Sequence, residues 1–527
     1  MQKQKFFEYL TYVIVIAFLF GLLFSESVLS ISSLALLLIL FLTGKFKEKR
    51  DFIAQEKTIW VLAGIYAIYL VGMFFCKDLS LGLWELKRYV FWAILPLSIA
   101  LIPNVSEKKI WYLLAIYVFM VFSASIHASI RIVFSDFFQL SNVRDAAKIS
   151  HVSLSIQVVF AVYVLLVSKL LKTPVLGKLN KWIVLLLCAW LVFFLGFQKS
   201  LNAWLALYFS GILFFIWISK NIKYRKVFSV FFVLFTIAPF LYVGWVSYNY
   251  FNLKEKEPDY TLRTASNNLY NFKTNSFQTE NGYHVYWYVC DEELENAWND
   301  VSNIKLDEKD ASGYSIYYTL LRYMTSKGLK KDSVGVANLS INDIKNIEAG
   351  VANVLFVDKK YLLYPRIYQT IWELECYYHS GNPNNQSLSQ RIEYLKATFY
   401  ILKHNVWGIG TGNFKCAFDD AFIQINSKLK PELRNYVHNQ YLNYIVKFGV
   451  LGFLLIMTFI VLALKWKKQF KNVLSLLLIT IVGITCLGET TLETHVGLHF
   501  FLFFISIFMW HSPTLLKSSF TNKKNLY

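Results

Sequence analysis

Apolar runs of about 20 residues constrain this chain more than any other feature, because a helix of that length matches the hydrocarbon thickness of a bilayer. Such runs occupy residues 6–24, 28–44, 58–75, 89–102, 110–131, 151–168, 182–198, 202–219 and 227–247, and then 440–464, 473–489 and 497–511. Twelve spans are predicted, the run 89–102 being short and containing Pro96. A lipid-facing backbone must satisfy its own hydrogen bonds, and runs this long do so as helices. The expected fold is therefore an all-α polytopic membrane protein. A composition of 56% hydrophobic and 17% charged residues excludes an ordinary soluble protein of 527 residues. The first run lacks a small-residue cleavage pattern and reads as a retained span.

A formal charge of +19 would suggest nucleic acid in a soluble domain. Here its location argues otherwise, and no nucleic-acid partner is expected. With Lys3 and Lys5 inside, the inner connections are 45–57, 103–109, 169–181, 220–226, 465–471 and the tail. Together with the N-terminus they carry 24 Lys and Arg against five acids, Glu8, Glu48, Asp51, Glu56 and Glu107. The opposite connections are mixed in sign. The positive-inside rule then puts the long polar stretch outside the cytoplasm, in the periplasm of a two-membrane cell. Three regions follow: 1–247 with nine spans, a periplasmic region 248–437, and 438–527 with three spans and a basic tail. The outer region carries helix signals. Ser340 to Asp343 reads as a capping box with Gly350 as a stop, and Tyr314 to Ser326 as a helix ended by Gly328. Lys359 to Tyr378 reads as a longer helix with a kink at Pro365, and Tyr286 to Cys290 as a strand.

Chemistry-bearing residues concentrate from Ser387 to Leu451. Leu388, Ile392, Leu395, Phe399 and Leu402 form one stripe of a 3.6-residue period, which predicts an amphipathic helix over 388–404. Arg391 is placed in its first turn, where free N–H groups and the helix dipole favour an anion. Gly408, Gly410 and Gly412 break that helix and permit tight turns. Pro431 and Glu432 are expected to open a second helix running through His438 into an apolar span. Lys447, in that span, either snorkels outward, the preferred reading, or pairs with a substrate phosphate. Outside this stretch, Lys199, His151 and Arg144 lie at the outer ends of spans. Each has an ordinary explanation, as a snorkelling lysine, a surface arginine or an interfacial histidine. Together they gather cations and imidazoles on one membrane face, which suits a lipid diphosphate: cations neutralise it and a histidine moves a proton. Arg322, Lys327, Lys330 and Lys331 form a basic cluster read as a surface for acidic sugars or lipid phosphates.

Several motifs are missing. There is no G-x-x-x-x-G-K-[ST], no D-x-D and no H-E-x-x-H, so neither ATP nor a metal is called for, and no cofactor is expected. The six cysteines are scattered without a C-x-x-C pair, which argues against a zinc site or a disulfide framework. A diphosphate leaves unaided if positive side chains take up its charge.

The pattern R-I-E-Y-L-K-A-T…I-L-K-H-N-V-W-G-I-G-T-G-N-F, then H-N-Q-Y-L…F-G-V-L-G, resembles the O-antigen ligase family, which shares a domain with O-antigen polymerases and protein O-oligosaccharyltransferases. The matching positions are Arg391, Gly408, Gly410, Gly412, His438, Asn439, Gly449 and Gly452. The resemblance implies a GT-C-type helical fold in the bacterial inner membrane, its active site facing the periplasm. It implies metal-independent, inverting transfer of a glycan from undecaprenyl diphosphate to a sugar hydroxyl of lipid A–core. By the same resemblance His438 is the base and Arg391 binds the donor diphosphate. A second family arginine falls on Lys199, a departure that loses the planar fork. Asn439, His151, Arg144 and Arg322 are supporting candidates. A polymerase or a protein glycosyltransferase would use the same donor with another acceptor. A transporter would place its ionisable groups near the bilayer midplane, which they avoid here.

Overall fold

A computed structural model describes residues 2–42, 45–103, 105–134, 146–198, 200–219, 225–254, 257–358, 363–384 and 386–511. They divide into two compact units. The first holds residues 1–225, 393–427 and 434–527, and the second 226–392 and 428–433.

The first unit is a helical bundle. Its helices are α1 (Gln2–Phe24), α2 (Glu26–Leu42), α3 (Phe46–Gln55), α4 (Lys57–Gly72), α5 (Leu79–Tyr89), α6 (Phe91–Ala100), α7 (Glu107–Val133), α8 (His151–Leu170), α9 (Lys181–Gln198) and α10 (Leu201–Ser219). Late in the chain come α19 (Phe414–Gln424), α20 (Gln440–Trp466), α21 (Val473–Gly488) and α22 (His495–Trp510). Seven helical segments among the described residues are long and apolar enough to cross a membrane: Phe6–Phe24, Lys57–Phe75, Glu107–Val133, His151–Leu170, Lys181–Gln198, Leu201–Ser219 and Gln440–Trp466. The apolar segments Glu26–Ile39, Val473–Gly488 and His495–Trp510 are shorter. The run expected at 89–102 is divided by a turn at Val90, leaving α6 with 10 residues, about 15 Å of helix.

A helix apolar on every face belongs in the middle of a bundle, and α8 and α22 are buried along nearly their whole length. Phe500, Phe504 and Phe508 of α22 form a column against Phe160 of α8. Polar groups between spans find partners across helices. Gln157 donates to the Leu22 carbonyl (2.9 Å), and Tyr117 donates to that of Gln157 (2.9 Å). By contrast α9 turns Trp182, Leu186 and Phe193 outward, as a lipid-facing helix does. α20 packs on α4, and α21 on α10 and α8.

The second unit contains α11 (Arg225–Phe251, from Lys226 on), α12 (Asp291–Val301), α13 (Ile316–Ser326), α14 (Ser333–Ala337), α15 (Ile341–Glu348), α16 (Leu355–Asp358) and α17 (Tyr364–Ser380). The first turns of α18 (Ser387–His404) also belong to it, and the rest of α18 belongs to the first unit. One antiparallel pair, β1 (Thr279–Glu280) and β2 (Tyr283–His284), sets Glu280 opposite Tyr283. The expected strand at Tyr286 to Cys290 reduces to bridges from Val289 to Asn271 and Lys331. Pro365 sits in the first turn of α17, where a missing N–H is harmless, so no kink arises there. Residues 359–362, the expected beginning of that helix, lie outside the described residues.

The capping box at Ser340 and Asp343 forms as read, and Gly350 follows α15 at φ 83°. Burial raises the Asp343 pKa, but bonds from Lys327, Tyr323 and Ser340 outweigh it and hold the carboxyl down at about 2. A carboxylate with a depressed folded pKa contributes stability above its unfolded pKa and loses it as pH falls through the folded value. Asp343→Asn is therefore expected to cost on the order of 2 kcal/mol near neutral pH. In thermal unfolding the gap between variant and wild type should close between pH 4 and pH 2. A gap that persists unchanged at pH 2 would contradict the assignment.

Candidate active site

The glycine-rich turn after α18 is built against one broken helix, α20, and the end of α4. α20 is interrupted at Gly449 (φ 67°, ψ 177°), a conformation open in practice only to glycine. The break frees the carbonyls of Val446 and Lys447. Ile409 N–H donates to the first (2.9 Å) and Gly410 N–H to the second (2.8 Å). Thr411 and Asn413 serve the end of α4. Thr411 N–H donates to the Gly72 carbonyl (3.1 Å), Thr411 Oγ1 to that of Tyr69 (2.8 Å), and Asn413 Nδ2 to that of Phe75 (2.6 Å). These are among the carbonyls a helix C-terminus leaves open. The amides of Gly408, Ile409, Gly410 and Thr411 are thus spent on protein carbonyls, and these bonds lock α4 to α20. A Cβ on Gly408 would lie 2.4 Å from Gly449 N. Gly449→Ala is expected to cost about 1–3 kcal/mol from backbone strain alone, read as a lowered unfolding temperature of the purified protein.

His438 lies just ahead of α20. The expected helix opened by Pro431 is only a 3-10 turn, Pro431–Leu433. The reason is Asn439, whose side chain accepts from Tyr441 N–H and Leu442 N–H (3.0 Å each) and so caps the helix, which starts at Gln440, two residues after His438. Asn439 Nδ2 also donates to the Leu487 carbonyl (3.1 Å), tying this start to the end of α21. There Glu489, which caps α21, holds His438: Nδ1 lies 3.1 Å from Glu489 Oε2. A carboxylate on Nδ1 puts the ring proton there and leaves Nε2 with its lone pair. The side chain of His438 is 31% exposed, so Nε2 can be reached from solvent. The ring of Tyr394 from α18 stands 5.9 Å away.

Behind His438, α20 carries a buried cation. Lys447 is 3% exposed and bonds Glu85 of α5 (3.2 Å) and Glu493 (3.0 Å). Asn443 donates to the same Glu493 (2.8 Å), and the rings of Tyr69, Tyr89 and Phe414 lie about the ammonium. The expected snorkelling of Lys447 is therefore wrong. It spans α5, α20 and the Thr491–Glu493 turn before α22.

Residues 333–457 match the family model described as O-Antigen ligase. The chain thus carries a domain of the O-antigen ligase family over that stretch. No curated protein matches it. The matched stretch contains the glycine turn, His438, Asn439 and Lys447, and ends before Glu489.

The other candidates suggested by the resemblance to O-antigen ligases fare differently. Lys199 and Arg144 lie outside the described residues. His151 is the first residue of α8 and half-buried. Arg391 is the fifth residue of α18, past the first turn where it was expected, and is half-buried. The buried face of α18 is Ser389, Glu393, Tyr394, Ala397, Thr398 and Ile401, whereas Phe399 of the expected apolar stripe is exposed. Arg322 is withdrawn from any sugar-binding surface. It bonds buried Glu280 (2.7 Å) and lies 3.9 Å over the Trp372 ring. Lys327 pairs with Asp343 (2.7 Å), and buried Lys331 donates to the carbonyls of His284 (3.2 Å) and Trp287 (3.0 Å). The basic cluster is mostly internal wiring.

Sequence reasoning missed Glu489, Glu85 and Glu493, which it passed over among mixed-charge connections. One signal could have found the last two. A lysine inside an apolar span requires an acid at a neighbouring span end.

Proposed function

We propose that this protein is a glycosyltransferase of the O-antigen ligase family, in the inner membrane, with its active site facing the periplasm. In this reading it moves a glycan from undecaprenyl diphosphate to a sugar hydroxyl of lipid A–core. The observation that carries it is the imidazole of His438, tethered at Nδ1 by Glu489 with Nε2 left open. The acceptor hydroxyl gives its proton to Nε2 as its oxygen bonds the anomeric carbon. The bond from that carbon to the diphosphate oxygen breaks, and the lipid diphosphate departs with the electron pair, inverting the anomeric centre. Arg391 and Lys199 are proposed to take up the developing charge. The fold is proposed to be of the GT-C type with twelve spans, and the region 248–437 to lie in the periplasm. Basic inner connections support this orientation.

The test is the mass of the product formed by the purified protein from a defined undecaprenyl-diphosphate glycan. Transfer to lipid A–core supports the ligase. Elongation of the lipid-linked glycan points to a polymerase, and transfer to Ser or Thr of a peptide to a protein glycosyltransferase. No product with any acceptor would overturn the reading. Transfer is expected to persist in EDTA, and its loss there would remove the metal-independent mechanism.

A further inference from the structure

The carboxylate that holds His438 is itself held from another helix. Glu489 uses Oε2 for His438 Nδ1 (3.1 Å). Asn202 Nδ2, from α10, donates to its other oxygen, Oε1, in a long bond of 3.5 Å. Asn202 is the second residue of α10 and is half-buried. An asparagine near a helix start ordinarily bonds the backbone of its own segment. This one reaches Glu489, 287 residues later.

Packing fixes the amide where it stands. A Cβ on Gly488 would lie 2.3 Å from Asn202 Oδ1 and 2.9 Å from its Cγ and Nδ2. The amide therefore fills the space that a side chain at 488 would take, next to Glu489. Gly488 ends α21 without a positive φ, so alanine would suit its backbone and the glycine serves to admit Asn202. Asn439, which caps α20, donates to the preceding carbonyl, that of Leu487. The end of α21 is thus gripped by one asparagine from α10 and another from the start of α20.

A carboxylate held through one oxygen can swing away from its partner. The side chain of Glu489 is 22% exposed, so water competes for it. A bond donated to Oε1 fixes the carboxylate plane and favours its charged form. A charged, fixed carboxylate leaves the Nδ1 proton on the imidazole. We infer that Asn202 is a positioning residue that acts through Glu489 to keep the proton of neutral His438 on Nδ1 and its Nε2 open. Its effect on turnover rests on the transferase reading, whereas its effect on the ring does not.

The ring can be read without any transfer. The full chain, with isotope-labelled histidine rings, is placed in lipid bilayers for solid-state nitrogen NMR. The His438 signals are those absent from His438→Ala. With the ring neutral, wild type is expected to carry its proton on Nδ1. Asn202→Asp keeps the shape of the amide but replaces the donor with a like charge. Both tautomers should then appear, and kcat should fall about tenfold with KM little changed, the low end for a bond to a charged group. A residue that only filled space would tolerate this isosteric change. Gly488→Ala is expected to reproduce both effects, because its Cβ displaces the amide, and to add nothing to Asn202→Ala. A wild-type tautomer ratio in Asn202→Asp overturns the inference, whatever turnover does. If that variant fails to fold, the ratio in Gly488→Ala decides in the same way. A changed ratio in a protein that transfers to no acceptor would keep the positioning role and discard only the transferase reading.

Discussion

His438→Ala is expected to abolish most transfer, by about two to four orders of magnitude in kcat, the range a positioned general base supplies. The fold should survive. The side chain is partly exposed and bonds Glu489 across a turn, while Asn439 keeps the helix start through its own two backbone bonds. Insertion and unfolding temperature should stay near wild type, so lost turnover reports chemistry. Glu489→Gln gives the companion result. A glutamine can accept the Nδ1 proton but can also donate to Nδ1, which admits the tautomer with its proton on Nε2. A smaller loss of roughly one to two orders of magnitude is expected, in kcat rather than KM, with an altered pH profile. Near wild-type turnover in His438→Ala would remove the base. Normal turnover and an unchanged pH profile in Glu489→Gln would leave the base but remove its positioning.

The features legible in the sequence were those that rest on local chemistry. Gly408, Gly410 and Gly412 all adopt positive φ, and Ser340 and Asp343 form their capping box, because backbone freedom and side-chain reach act within a few residues. Most of the apolar runs became helices near their expected bounds for the same reason. Distant pairing was not legible. Glu85 and Glu493 lie 362 and 46 residues from Lys447, and Glu489 lies 51 residues from His438. No spacing rule joins them. Arg322 failed for a related reason: a basic run looks solvated until Glu280, 42 residues away, is seen beneath it. The start of α20 differs from the expectation because Asn439, with two backbone bonds, is a stronger helix start than the Pro431 signal.

Lys447→Met is expected to be the most destabilising of the single changes considered, about 3–5 kcal/mol, the range for removing one partner of a buried ion pair. The ammonium lies between two carboxylates, and both are nearly sealed from water, 10% and 13% exposed. Deleting it leaves Glu85 and Glu493 facing each other without a cation, so the loss exceeds that of one contact. Like-charge repulsion and unsatisfied desolvation act together. The elements concerned explain why function should fall as well. Glu493 lies in the short turn four residues after Glu489, and Lys447 donates nothing to His438 directly. Lowered turnover in Lys447→Met would therefore come through displaced geometry and track the loss of stability. A triple variant separates the causes. Lys447→Met with Glu85→Gln and Glu493→Gln removes the uncompensated charges, and unfolding temperature should recover by more than half. If the single change leaves the unfolding temperature untouched, the ion triad does not hold α5, α20 and the turn together, and the frame behind His438 must be carried by the glycine turn and the apolar packing alone.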